Sequence, residues 1–437
     1  MPGSLLLPRA VFCLFCCALL LTGCGQRTTQ QAGSSGSVAL QVWAHAGQEA
    51  ERKVLQAQVG RFNKKTPAIS IKLSFIPERD YNAQVQAAAL AGDLPDVLEF
   101  DGPYLFNYIW QGHLLTLDNL LPRSLQQDLL PSIIDQGTYH GHLYAVGVFD
   151  SGLGLYARKS LLQLVKARIP AGAADAWTIS EFNDILVRLA QQDKDKAVLD
   201  LKLNYRGEWY TYGFSPVLQS AGADLIDRKD YQHSSGVLNS KAAVSAMQQV
   251  QHWITQGLVD PNLDDAAFTS GRVALSWAGH WEYARYHQAF PDDLLVLPLP
   301  DFGKGSRTGQ GSWNWGITQK SQHPQAAAQF LQFLLQAPEV LAMSDANGAV
   351  PGTRTAVRQS VLYGEHGPLR LFAHQLLQGV SVPRPKTPAY PVITTQFQSA
   401  FQQIRNSADV QQALDSAAQH IDQDIRDNHG YPFSARP

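Results

Sequence analysis

Cysteine is almost missing from the 437-residue chain. Its 4 cysteines, Cys13, Cys16, Cys17 and Cys24, all fall before residue 25. The long remainder therefore has no disulfide and no cysteine metal centre, and must rest on an apolar core, which a chain of this length can bury. Cys13-Leu14-Phe15-Cys16 has redox or metal-ligand spacing, but inside a hydrophobic run it reads as chance. Charge is also scarce, at 16% of residues, with a formal net charge of -2 and no basic block, which excludes nucleic acid as a partner. Beyond Leu21 no apolar stretch is long enough to span a bilayer. There is no Gly-Lys-Ser/Thr loop, so nucleotide hydrolysis belongs elsewhere. Gly-x-Ser-x-Gly, His-Glu-x-x-His and a reactive Cys are missing too, which closes several hydrolase routes.

What is present begins with a secretory pattern. Arg9 precedes an apolar run over residues 10–21, too short for a stable membrane span, and Thr22-Gly23 then presents Cys24. This stretch resembles the lipobox of bacterial lipoproteins. The resemblance implies a signal peptide over 1–23, cleavage before Cys24, and lipid on its sulfur and new amino group, an anchor worth roughly 0.8 kcal/mol per buried CH₂. Residues 24–37 read as a small, polar tether. Loss of Arg9 leaves 34 basic against 37 acidic residues, or -3.

The rest alternates strands and helices. Residues 38–43 read as a strand. A helix over 49–65 has Val54, Leu55, Val59 and Phe62 on one side and stops before Pro67. Residues 69–75 alternate as a half-buried strand. A helix over 80–91 ends at Gly92, a strand over 96–100 follows, and Asp101-Gly102-Pro103 turns into a helix through Trp110. This β-α-β-α-β-α order predicts a sheet covered by helices, with ligands at the carboxyl ends of strands. A hairpin turns at Gly141; its His140 and His142 read as turn residues more readily than as a metal pair. A second α/β region has a capping box at Thr178-Ile-Ser-Glu181, strands over 198–203, 273–278 and 294–299, an aromatic helix from Trp209, and a helix capped near Ser240. Residues 303–311 form a Gly-rich connector with the wrong spacing for a phosphate cradle. Residues 312–317 are an aromatic strand, and the remainder is helical apart from a break at Asn347-Gly348 and a Pro-rich loop over 383–391.

Several of these stretches, in this order, resemble the extracellular solute-binding proteins of bacterial carbohydrate ABC importers, the broad family that includes maltose-binding protein. They are Ala91-Gly92-Asp93-Leu94-Pro95-Asp96-Val97, Gly112-His-Leu114-Leu-Thr-Leu117-Asp118, Gly141-His-Leu143-Tyr144-Ala145-Val146 and Leu155-Tyr156-Ala-Arg-Lys159. Then come Phe268-Thr-Ser-Gly271-Arg-Val-Ala274-Leu275, Gly279-His-Trp281, Leu297-Pro298-Leu299-Pro300 and a helix over 326–335. The match covers nearly the whole mature chain. It departs at Gly147, where Pro is usual, and at Ala157-Arg158-Lys159, where Tyr-Asn-Lys is frequent. The resemblance implies an α/β fold of two lobes, the periplasmic-binding-protein fold, with three crossings and a ligand cleft between the lobes. The crossings are expected at 148–151, 297–300 and 347–352. One lobe then comprises 38–147 plus 301–346, and the other 152–296 plus 353–437.

It further implies a mono- or oligosaccharide ligand, a membrane permease pair with a separate ATPase, no cofactor, a monomer, and a lipid-anchored place on the outer side of a cell membrane. Sugars stack their C–H faces on aromatic rings and present hydroxyls to charged and amide groups. Trp281, just past a strand end and Gly279, is the first candidate platform, with Gly279 leaving room for the ligand. Trp313, Tyr210 and Tyr212 are further aromatic candidates, and Trp43 lies at a strand end. His45, Glu49, Asp101 and Asp150 are the polar candidates, and Arg354 follows the third crossing. Each has a plainer reading as core, cap or surface residue. A lipid-anchored glycoside hydrolase using Asp101 and Asp150 is the rival reading, since such enzymes need two carboxylates about 5–10 Å apart. A sensory sugar-binding protein is the third.

Overall fold

A computed structural model describes residues 37–364 and 366–433. Cys24 and nearly all of the expected tether lie outside the described residues. Strand Val38–His45 is the spine of the first sheet. Its alternate residues Leu40, Val42 and Ala44 are fully enclosed, as period-2 patterning requires. It pairs in parallel with Ile69–Ile76 on one side and Val97–Asp101 on the other. Trp313–Ile317 then joins antiparallel to Val97–Asp101, and Ala145–Gly147 forms the far edge. Helix Glu49–Lys65 buries Leu55, Val59 and Phe62. Its Glu51 carboxylate accepts from the Gln48 backbone N–H at 2.6 Å, closing the first turn. Helix Glu78–Ala91 ends where Gly92 takes a left-handed φ of 71°.

The second sheet runs in the order Leu294–Leu297, Leu153–Arg158, Leu275–Gly279, Leu199–Asp200. Helices Ile179–Ala190, Trp209–Ala221, Lys241–Thr255, Tyr390–Arg405 and Val410–Asp427 pack into its apolar core. The capping box at Thr178 and Glu181 and the Ser240 cap are both formed. The strand expected over 198–203 is only two residues long. Lys202 takes a left-handed φ of 53°, which breaks the pleat. The result is two α/β lobes, each with its own sheet and core. Among the described residues no helix is long and apolar enough to cross a membrane.

The stretches 148–151 and 347–352 lie side by side, because Phe149–Asp150 pairs antiparallel with Val350–Pro351. The remaining crossing differs from expectation. Residues 301–310, assigned above to the first lobe, are bonded to the second. The Asp301 N–H donates to the Trp177 carbonyl and the Lys304 N–H to the Ser220 carbonyl, both at 2.8 Å. Thr308 Oγ1 accepts from the Leu153 N–H at 2.7 Å. Thr308–Gln310 also pairs with Ser381–Pro383. The chain reaches the first lobe at Ser312, whose carbonyl accepts from the Gly102 N–H at 2.9 Å. This crossing is therefore at Gly311 and Ser312 rather than at 297–300. A glycine-rich connector has no apolar pattern to reveal which lobe its backbone bonds.

Gly147 stands where the resemblance leads one to expect Pro, and its surroundings explain the departure. A Cβ there would lie 2.9 Å from Asn314 Oδ1 and 3.0 Å from both Ile133 Cδ1 and the Phe149 carbonyl oxygen. All three neighbours are buried. Gly147→Ala should cost about 1–3 kcal/mol of unfolding free energy through overpacking. Urea denaturation measures this directly, and an unchanged midpoint would show that the neighbours yield freely.

Candidate functional site

Asp101 ends strand Val97–Asp101 at the carboxyl edge of the first sheet. Its carboxylate is gripped by both guanidinium nitrogens of Arg384, Nη2 to Oδ1 at 2.5 Å and Nη1 to Oδ2 at 2.6 Å. Arg384 Nη1 also reaches Glu208 Oε2 at 3.0 Å. Asp101 belongs to the first lobe, whereas Arg384 and Glu208 belong to the second, so this is a clasp across the cleft. Tyr104 of the first lobe donates its hydroxyl to Glu208 Oε1 at 2.9 Å, and Thr394 and Tyr390 donate to the same carboxylate. The guanidinium lies 5.0 Å from the Tyr212 ring centroid and 5.9 Å from that of Tyr390. Burial alone would lower the Arg384 pKa, but Asp101, Tyr390 and Glu208 hold it well above the ordinary value. Burial raises that of Glu208; Arg384 opposes the rise and the Asp101 charge adds to it.

Beside the clasp is a narrow crevice of about 10 Å³ lined from both lobes. Gly102, Pro103, Phe106 and Gln136 face Gln310, Gly311, Pro383, Arg384 and Lys386. The ~300–1,000 Å³ typical of small-molecule pockets is larger, so a ligand of several rings requires the lobes to part. Asn107 Nδ2 donating to the Pro388 carbonyl at 2.8 Å and Lys386 paired with Asp135 at 2.5 Å are further ties across the cleft.

The aromatic candidates separate by environment. Tyr210 is a core residue, stacked on Phe401 at 4.8 Å. Tyr212 lies under the clasp, and its hydroxyl shares a 2.6 Å hydrogen bond with Ser151 Oγ. Trp281 is half-buried, 6.2 Å from Tyr212 and perpendicular to Trp209 at 6.1 Å. Gly279 was expected to leave room for ligand. Instead the Trp281 ring itself fills that space, since a Cβ on Gly279 would fall 2.0 Å from it. Trp313 is half-buried and carries His45 flat against one face, with centroids 3.9 Å apart and planes 5° from parallel. Trp43 packs beside the same cluster.

Among the polar candidates, His45 donates its Nδ1–H to Glu99 Oε2 at 2.7 Å. Burial alone would lower its pKa, but the Glu99 charge and hydrogen bond, helped by Glu51 and Glu78, lift it to about 9. Asp150 has no exposed surface. It accepts from the Ser151 N–H at 2.7 Å and from Gln136 Nε2 at 3.1 Å. Burial raises its pKa to about 6 despite these donors. Glu49 is largely exposed and pairs with Lys53 at 2.6 Å, one turn along its helix. Arg354 is exposed at the start of helix Arg354–Gln359. His142 bonds Asp118 at 2.7 Å and His140 stacks on Phe433, so the two serve separate contacts.

Arg384 thus connects Asp101 with Tyr212, and the Trp281 ring lies 6.2 Å from Tyr212; His45 and Trp313 form a neighbouring stack. Glu208, Arg384, Gln136 and Gln310 went unnoticed in the sequence. Arg384 carried a signal, since it sits between Pro383 and Pro385. Two prolines restrict the backbone around it and aim a long side chain from a stiff loop.

The family of bacterial extracellular solute-binding proteins matches residues 46–340, and the chain belongs to it. An uncharacterized lipoprotein of Streptomyces antibioticus, from the oleD 5' region, is 22% identical over 377 residues, 82% of this chain and 80% of its own. Two solved structures share the fold. The GacH receptor of Streptomyces glaucescens, solved unliganded and with acarbose, is 22% identical with a TM-score of 0.73, covering 90% of this chain and 98% of that one. The cyclic alpha-maltosyl-1,6-maltose binding protein of Arthrobacter globiformis is 22% identical with a TM-score of 0.72, covering 90% and 100%.

The His45–Glu99 pair has a pH signature. The folded pKa of about 9 lies above the ordinary 6.5. Its stabilisation is therefore complete below about pH 6.5 and fades as pH rises through about 9. Melting temperature followed across this window should fall in the wild type and fall less in His45→Gln. Parallel curves would mean that His45 is neutral in the fold.

Proposed function

We propose that this chain is the extracytoplasmic binding component of a carbohydrate importer, capturing a mono- or oligosaccharide between its lobes and presenting it to a membrane permease pair. ATP is hydrolysed by a separate subunit, and the binding protein works as a monomer. The observation that carries this reading is the cleft itself. Asp101, Arg384 and Glu208 offer paired acceptors and donors from opposite lobes, beside Tyr212 and Trp281. Sugars require that combination, an aromatic face for C–H groups and bidentate polar groups for hydroxyls. Ligand that bridges the lobes favours their closure by its differential affinity for the closed form. The ligands of two proteins of the same fold, acarbose and cyclic alpha-maltosyl-1,6-maltose, agree with an oligosaccharide.

The hydrolase reading loses support at its own residues. Asp101 is engaged by Arg384 on both oxygens, and Asp150 is enclosed with donors on its carboxylate. Neither is poised to protonate a leaving group or to activate water. Purified protein should bind a sugar from a panel that includes acarbose and maltotriose, detected by thermal shift, and should return it unchanged. Released reducing sugar that vanishes in Asp101→Asn would restore the hydrolase. Trp281→Ala should weaken binding by roughly 1.5–4 kcal/mol, the range of an interfacial hot spot, with little effect on the ligand-free melt. A core tryptophan would instead lose about 3–5 kcal/mol of stability.

Anchoring rests on Cys24. Cys24→Ser should move the protein from the detergent phase to the aqueous phase while the folded part melts normally. Equal partitioning of mutant and wild type would remove the lipid from this reading.

A further inference from the structure

Behind Trp281 lies a buried charge cluster that the binding site does not use directly. Lys202 is fully enclosed and follows the short strand Leu199–Asp200. Its Nζ is 3.2 Å from Asp200 Oδ2, 3.5 Å from Asp265 Oδ1 and 3.7 Å from Glu282 Oε1. It also lies 5.5 Å from the ring centroids of both Tyr205 and Tyr286. Glu282, 1% exposed, is the residue after Trp281. It accepts the Tyr205 hydroxyl at 2.5 Å and pairs with Arg285. Through Glu282, the next residue along, Tyr205 is tied to the backbone that carries Trp281. The Tyr205 ring stands edge-on to Trp209 at 5.3 Å, and Trp209 stands edge-on to Trp281. With Gly279 beneath it, the Trp281 ring is bounded on several sides.

A buried lysine among carboxylates is a poor way to stabilise a core, because desolvation roughly cancels the Coulomb attraction. Its distinctive effect is geometric. Asp200 and Ser276 are paired in register on adjacent strands, and Ser276 Oγ donates to Asp200 Oδ2 at 3.1 Å. Lys202 thus joins the loop after one strand to the turn after the other, the turn that carries Trp281. We propose that Lys202, Glu282 and Tyr205 are positioning residues that hold the Trp281 ring in its cleft-facing pose. This inference rests on the reading of Trp281 as the ligand platform.

Two readouts test it on the full chain. Trp209 and Trp281 are close and perpendicular, so their transitions couple, and the far-ultraviolet circular dichroism difference between wild type and Trp281→Phe isolates that coupling. Tyr205→Phe, which removes one hydroxyl, and Glu282→Gln should each lose most of this signal, as should Lys202→Met where it folds. Acarbose affinity should fall about five- to tenfold in Tyr205→Phe, the effect of one lost hydrogen bond. An intact coupling signal in both Tyr205→Phe and Glu282→Gln overturns the positioning role, whatever happens to affinity. If instead Trp281→Ala binds acarbose like wild type, or wild type does not bind it, the platform reading fails for this probe and the coupling signal alone decides the positioning role.

Discussion

One guanidinium joins the two lobes. Arg384 places its two terminal nitrogens on Asp101 and shares one of them with Glu208; Arg384 and Asp101 are buried and Glu208 is partly exposed. Removing one partner from such a pair leaves a buried charge, at a cost of about 3–5 kcal/mol. Parting the lobes is different, because it returns all three groups to water together. The clasp therefore has two good states, closed and paired or open and hydrated, and poor ones between. A hydroxyl-rich ligand fits this balance, since its donors and acceptors take the place of water around the same groups.

The hinge has its own constraint. Asp150 sits on one crossing, and its strand pairs with the stretch that carries another. Its pKa of about 6, pushed up by burial, means that ionising it in the folded state works against folding as pH rises from about 4 to 6. The donors from Gln136 and Ser151 limit that cost. Ser151 in turn meets the Tyr212 hydroxyl, so the cleft floor and the hinge share one hydrogen-bonded chain. A carboxylate that appeared suited to hydroxyls is in fact engaged by Gln136 and Ser151.

Much of the fold was legible because its signals are local. Alternation marked the strands, Gly92 marked a helix end, and Thr178 with Glu181 marked a start. The site was less legible because its chemistry is made by distant partners. Asp101 was visible as a strand-end carboxylate, yet nothing near it announces Arg384, whose hydrogen bond spans 283 residues. His45 and Trp313 were both singled out, but that one stacks on the other depends on Trp313–Ile317 entering the first sheet from far along the chain. Residues 301–310 were misassigned for a related reason: backbone hydrogen bonds, which side-chain patterns do not encode, decide their lobe.

The tryptophans show where position outranks residue type. Trp177, Trp253, Trp277 and Trp315 are fully buried, whereas Trp43, Trp281 and Trp313 are half-buried. Trp277 and Trp315 lie within strands whose neighbours close over them. Trp281 comes just past a strand end, where the sheet no longer supplies a lid, and only a glycine two residues earlier lets the ring fold back. A half-buried ring is held on one side and exposed on the other, which is the condition for stacking on a ligand without losing its place when the ligand leaves. Gly279 lies beneath the Trp281 ring and the residue after it, Glu282, enters a buried ion cluster, whereas Trp277, four residues before it, is enclosed by the sheet and donates to the Gly213 carbonyl.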